Sequence, residues 1–183
     1  MTLVPIEWSS SQCSQQCLND PQFLRYDSGK TYVYRLETQT LITSLDHQTE
    51  QSVSQQSLVE LSALSPCELS LQVRETRFEG LDPQYGQQLS QELDAQPLIF
   101  GYDDGLVTDV CAQQSDQLWS QDVKKAVISS LQMSAKSLTQ TTTVVESDVL
   151  GECETTYDVI QQKYTQKVIR KQKQLNRCEN QSN

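Results

Sequence analysis

Apolar residues in this chain recur mostly at every second position. In "GKTYVYRLETQT", Tyr32, Tyr34 and Leu36, and further on Ile42, fall on one side, while Arg35, Glu37 and Gln39 fall on the other; Val33 is the apolar exception. Successive strand side chains point to opposite faces, so this period predicts a half-buried strand, launched by the turn Asp27-Ser28-Gly29. The pattern returns with Val59, Leu61 and Ala63 in "LVELSAL", and with Leu69, Leu71 and Val73 alternating with Glu68, Ser70, Gln72 and Arg74. "PLIFGYDDGLVTDVC" has two apolar arms around Asp103-Asp104-Gly105, a hairpin signal because Gly accepts positive φ. "TTTVVESDVL", "CETTYDVIQ" and "KYTQKVIRK" read as three further strands. Seven or more short strands with turns between them predict a mainly β fold, an antiparallel barrel or a sandwich.

One segment changes period. "WSQDVKKAVISSLQMSA" places Trp119, Val123, Ala126, Val127 and Leu131 at helical spacing with Ile128 beside them, predicting an amphipathic helix over about 120–135. Ser120 suits its N-cap and Asp122 its first turn, where the helix dipole favours an acid. Such a helix either docks on the sheet surface or plugs the mouth or interior of a barrel. Ser44 to Ser57 is polar and aperiodic, and reads as a loop. In "FEGLDPQYGQQLSQELDAQ", Leu89 and Leu93 four apart allow a short helix. Neither a repeat nor an interdomain linker is visible, so one domain is expected.

Composition narrows the partners. Apolar residues make up 36% of the 183, below the roughly 45–50% of ordinary globular domains, with Gln, Ser and Thr filling the gap. A net charge of −10 argues against nucleic acid. The charge is uneven: 8 basic and 23 acidic residues up to Gln162, then 6 basic and 1 acidic from Lys163 to Asn183. Read as a strand, this end puts Lys163, Lys167, Lys171 and Lys173 on one side, interrupted by Ile169, with Arg170, Gln172 and Gln174 opposite. A solvated edge guarded by lysines is one reading. An electropositive surface for an acidic receptor or anionic lipid headgroups, carried by Lys163, Lys167, Arg170, Lys171 and Lys173, is the other.

No stretch nears the ~18 apolar residues of a transmembrane helix. "MTLVPIEWSS" is too short and polar for a secretory signal core, so any signal is expected to precede it or to have been removed.

Six cysteines, Cys13, Cys17, Cys67, Cys111, Cys153 and Cys178, with one histidine and no tight metal spacing, point to disulfides and an oxidising compartment. Zinc is the weaker reading, since Cys13/Cys17 has no second pair at matching distance and His47 no histidine companion. Asn180-Gln181-Ser182 is a glycosylation sequon and fits secretion. Catalysis lacks its groups. His47 lies in the polar loop beside Asp46, and no nucleophile elbow occurs. The carboxylate pairs Asp103/Asp104 and Asp148/Glu152 have no assigned apolar pocket, and calcium-ligand and glycine-rich phosphate loops are absent. The chain reads as a non-enzyme, without cofactor or metal.

The segments, taken in order, resemble one family. "CLNDPQFLRYDSGKTYVYRLETQT" is similar to the N-terminal opening of the large lipid transfer proteins: vitellogenins, apolipophorins, apolipoprotein B and microsomal triglyceride transfer protein. "LSALSPCELSLQV", "PLIFGYDDGLVTDVC", "DQLWSQDVKKAVISSLQ" and "VVESDVLGECETTYDV" resemble its successive segments, from about Cys13 to Cys178. Cys13, Cys17 and Cys111 look more like the apolipophorin branch. The resemblance implies an antiparallel β-barrel over 13–178, after a leader 1–12 and before a tail 179–183 beyond which a longer chain continues. It places "SQDVKKAVISSLQ" inside the barrel, with Trp119, Val123, Ala126, Val127 and Leu131 packing there against Tyr32, Tyr34 and Leu36. It implies the disulfides Cys17–Cys67 and Cys153–Cys178, leaving Cys13 for Cys111.

The function so implied is the N-terminal module of a secreted, lipoprotein-type lipid transporter. Its partners are lipids, held mainly by later domains, and a receptor or partner lipoprotein chain. The alternatives are a stand-alone carrier of one small hydrophobic ligand, with Tyr32, Tyr34 and Phe100 lining the cavity, or a yolk-storage or clotting module of the same family.

Overall fold

The computed structural model describes residues 13, 16–43, 50–136, 140–148, 151–163 and 166–179. The elements follow in the order β1 (Thr31–Thr43), β2 (Glu50–Ala63), β3 (Glu68–Glu79), α1 (Pro83–Ala95), β4 (Leu98–Asp103), β5 (Leu106–Cys111), α2 (Leu118–Leu131), β6 (Thr142–Asp148), β7 (Gly151–Lys163) and β8 (Gln166–Glu179). The fold is mainly β. Strands β1 to β5 form one antiparallel sheet in sequence order, and β6 to β8 form a second.

The expected closed barrel resolves into these two sheets. Among the described residues no hydrogen-bonded ladder joins β5 to β6 or β8 to β1. The chain leaves the first sheet after Cys111 to build α2, so the hairpin connections that pair neighbouring strands stop there. The first sheet is curled into a half-barrel. Register shifts at Gln56/Leu58 and Phe100/Tyr102, and Glu75 in the left-handed region at φ 54°, supply the bends that such irregularities introduce.

The polar stretch read as a loop contains most of a strand. Its residues Glu50 to Ser57 pair with β1, while residues 44–49, with His47, lie outside the described residues. Backbone pairing makes this strand without an apolar stripe, because its buried side chains find partners. Gln55 donates to the Ser57 hydroxyl at 3.1 Å, and Ser57 meets the Thr76 hydroxyl at 2.8 Å. β3 follows β2 only as far as Ser54↔Glu79, so beyond Gln39↔Ser54 the first two strands run on as a two-stranded ribbon. That overhang leaves Ile42, on the same side of β1 as Tyr32, 53% exposed. Tyr32, Tyr34 and Leu36, lower on β1, are half-buried against the core.

The core sits on the inner face of the half-barrel. Val59, Leu61 and Ala63 of β2, Leu69, Leu71 and Val73 of β3, and Leu98, Phe100 and Tyr102 of β4 share it with Leu93 of α1 and with Val127 and Ile128 of α2. α1 is a full helix of 13 residues, started by Asp82, whose carboxylate accepts from the backbone N–H of Gln84 and Tyr85 with Pro83 in the first turn.

α2 begins at Leu118, earlier than predicted, with no side-chain cap and no acid in its first turn. Ser120 is fully buried inside the helix rather than capping it. The reason is tertiary: the Trp119 indole N–H donates to Glu92 of α1 at 2.9 Å, and Asp116 reaches forward to Lys124, so distant partners outweigh local capping. Ala126 is exposed, because the buried arc follows Ser120, Lys124, Val127 and Ile128.

Candidate functional site

Two anchors fix the N-terminal segment to the half-barrel. Disulfides join Cys13 to Cys111 on β5 and Cys17 to Cys67 before β3, while Cys153–Cys178 lies within the second sheet between β7 and β8. The hairpin turn adds a clamp: Asp103 accepts the backbone N–H of Leu18 and Asn19 at 3.0 Å each, and Asp104 that of Asp20 at 2.8 Å. The turn itself uses Asp104 and Gly105 at positive φ. Behind it, Tyr26 meets Tyr32 and Tyr102 edge-on, with ring centres 5.0 and 5.3 Å apart. Burial pushes the hydroxyls of Tyr26 and Tyr102 well above the ordinary tyrosine range.

α2 occupies the inner face of the first sheet. Val127 is buried, and Trp119, Val123 and Leu131 pack against the core. The same helix buries a charge: the Lys124 ammonium lies 2.8 Å from Asp116, and their side chains are 0% and 1% exposed. Nothing in the apolar pattern announced this pair, although the spacing of Ser120, Lys124, Val127 and Leu131 places Lys124 on the inward arc.

Beyond the C-terminal end of α2 a second polar cluster forms around Glu146 of β6, whose side chain is 0% exposed. Lys171 and Lys173 of β8 approach its carboxylate at 2.8 and 3.7 Å. The Tyr157 hydroxyl of β7 donates to it, and the Ser134 hydroxyl donates at 2.7 Å. Burial alone pushes the Glu146 carboxyl up, but hydrogen bonds from Lys171, Tyr157 and Ser134 outweigh it and hold the group below the ordinary carboxylate range. Lys171 also donates to the carbonyls of Ser129 and Gln132 at 3.2 and 2.7 Å, which ties β8 to the carbonyl end of α2.

For Lys171 and Lys173 this geometry departs from both readings of β8, the solvated lysine edge and the free basic surface. Lys171 and Lys173 turn inward, 18% and 14% exposed, because a buried carboxylate opposite them would otherwise stand unpaired. Arg170 is exposed on the other face, opposite Asp158 in the register. The side chains of Lys163 and Lys167 lie outside the described residues, as does Asn180. An open groove of about 670 Å³ runs between α1 and β3, floored by Phe78, Pro83 and Gly86 and rimmed by Arg77, Gln87 and Gln91. Among the described residues no cluster of His, Cys, Asp and Glu is placed to hold a metal, and no helix is long and apolar enough to cross a membrane.

The architecture is a disulfide-pinned half-barrel wrapped on its own helix, with a second small sheet at the helix end. Residues 26–183 match the vitellogenin N-terminal domain, and the chain belongs to that family of lipid-transport and storage proteins. It is 31% identical over 157 residues to a vitellogenin of Penaeus merguiensis, covering 81% of this chain and 6% of that protein. Apolipophorins of Locusta migratoria are 28% identical over 145 residues, covering 78% of this chain and 4% of theirs. A solved structure of lipovitellin, determined for its lipid–protein interactions, superposes with a TM-score of 0.72 at 21% identity, over 85% of this chain and 18% of that one. The chain thus spans a small fraction of the length of its relatives.

Proposed function

We propose that this chain is the N-terminal module of a secreted lipid carrier of the lipoprotein type, over residues 13–178, with 1–12 as a leader and 179–183 leading into later domains. Its role is to support lipid loading of the larger assembly and to offer surfaces to a receptor or partner chain, while the bulk of the lipid is held elsewhere. The carrying observation is the match over 26–183 together with an inner sheet face taken up by α2 side chains. In place of a closed barrel, the reading uses the half-barrel, its helix and the second sheet. Three disulfides suit an extracellular setting.

The division of labour is tested by producing the 183-residue chain by secretion, extracting it with organic solvent and quantifying lipid by mass spectrometry. Far less than one lipid per chain is the expected result. Stoichiometric triglyceride or phospholipid would instead favour a carrier with an open interior.

A further inference from the structure

The contiguous apolar core is built from β2, β3, β4, α1 and α2, while Cys153 and Tyr157 of β7 are buried apart from that cluster. The groups by which the second sheet bonds to the rest of the molecule are polar, Glu146, Tyr157 and Lys171, beside the buried Cys153 and the half-buried Val144. Each bond to the helix end is polar too. Lys171 reaches the carbonyls of Ser129 and Gln132, Tyr157 sits 3.3 Å from the Gln132 carbonyl, Ser134 donates to Glu146, and Gln132 donates to the Ser147 carbonyl at 3.3 Å. The disulfides divide the same way, two within the half-barrel and its N-terminal strap, one within the second sheet.

We propose that β6, β7 and β8 form a flap that opens as one unit from the C-terminal end of α2, held shut by the hydrogen bonds of Lys171 and Tyr157 to the Ser129 and Gln132 carbonyls and of Ser134 to Glu146, while the Glu146 pairs with Lys171 and Lys173 tie β6 to β8 within it. The physical reason is an asymmetry between interfaces. Separating apolar surfaces exposes them to water with no compensation. Separating hydrogen-bonded and ionic groups returns each to water, which replaces most of what was lost. The second sheet is therefore the cheaper part to detach, and Cys153–Cys178 keeps β7 and β8 together when it does. Opening uncovers the last turn of α2 while the five-stranded sheet stays folded. The proposal rests on this geometry and stands apart from the lipid-carrier reading.

Hydrogen exchange followed by mass spectrometry on the oxidised chain tests it, comparing β7 with β3, each the middle strand of its neighbours. Amides of β7 should exchange at least about tenfold faster than those of β3, with β6 to β8 sharing one denaturant dependence, as a sub-global unit does. Lys171→Gln and, separately, Tyr157→Phe, each of which removes bonds to the helix end, should speed β7 by a further factor of about ten and change β3 by less than about twofold. Exchange of β7 and β3 at one common rate through global unfolding overturns the flap, as does equal acceleration of both strands in the variants. The native comparison stands by itself if either variant fails to fold.

Discussion

Lys124 shows how far single residues can be read. It sits on the same helical arc as Val127 and Leu131, in full burial, 2.8 Å from an equally buried Asp116. An ion withdrawn from water loses hydration that one partner only partly restores, so the pair adds little net stability while each member depends on the other. Lys124→Met is predicted to cost about 3–5 kcal/mol by leaving Asp116 unpaired, whereas Lys124→Met with Asp116→Leu should lie within about 1 kcal/mol of the native chain. Urea unfolding of both variants decides this: equal losses would mean that the ion pair is not the reason. The inward position of Lys124 was legible from spacing, but its partner was not, since Asp116 precedes the helix and Ser120 looked like the better cap. Glu146 was hidden for the same reason. It shares one face of β6 with Val144, yet the lysines that receive it lie on β8, and no local rule reports a partner across a sheet.

Elements were legible where apolar alternation marks a buried face. The strands around Tyr32, Val59, Leu71 and Phe100 carry that mark, and they line the core. Glu50 to Ser57 lacks it, because ladder hydrogen bonds alone make a strand there, and α1, read only from its two leucines, is started by the Asp82 cap and Pro83, a signal that reading left unused. The cross-links permit a quantitative prediction at this scale. In the chain-entropy picture a disulfide stabilises by restricting the unfolded chain, more strongly for a longer loop. Cys13–Cys111 closes a separation of 98 residues and Cys153–Cys178 one of 25. Replacing the first pair by serine should then cost about 4–5 kcal/mol and the second about 3–4 kcal/mol. Thermal unfolding of the two double-serine variants should rank them in that order. The reverse ranking would show that native contacts around the bonds, rather than loop entropy, set the loss.

At the scale of the whole molecule, what local patterns could not supply was closure. Eight strands and two helices among the described residues satisfy a barrel and a pair of sheets equally, and the choice depends on which edges meet across α2. The second sheet instead gathers titratable groups around Glu146 on its inward side, which gives the fold a predicted pH dependence. The Glu146 carboxyl is lowered in the folded state, so the unfolded chain binds its proton first as pH falls. Its contribution is therefore fully present above the unfolded glutamate value of about 4.3 and lost as pH drops through the lower folded value. The Glu92 carboxyl, lowered by hydrogen bonds from Gln88 and Trp119, acts in the same direction between the helices. At the alkaline end Tyr26, Tyr102 and Tyr157 are raised, so their contribution holds below about pH 10 and fades above it. Lys173, lowered chiefly by burial, works against that fading as its charge is removed. Thermal unfolding measured from pH 3 to 7, steps of about one unit being enough to resolve a carboxylate titration, should show Glu146→Gln losing stability at neutral pH and converging on the native chain as the medium turns acid. A constant gap between the two curves across that range would mean that the carboxylate's charge is not what stabilises the folded second sheet.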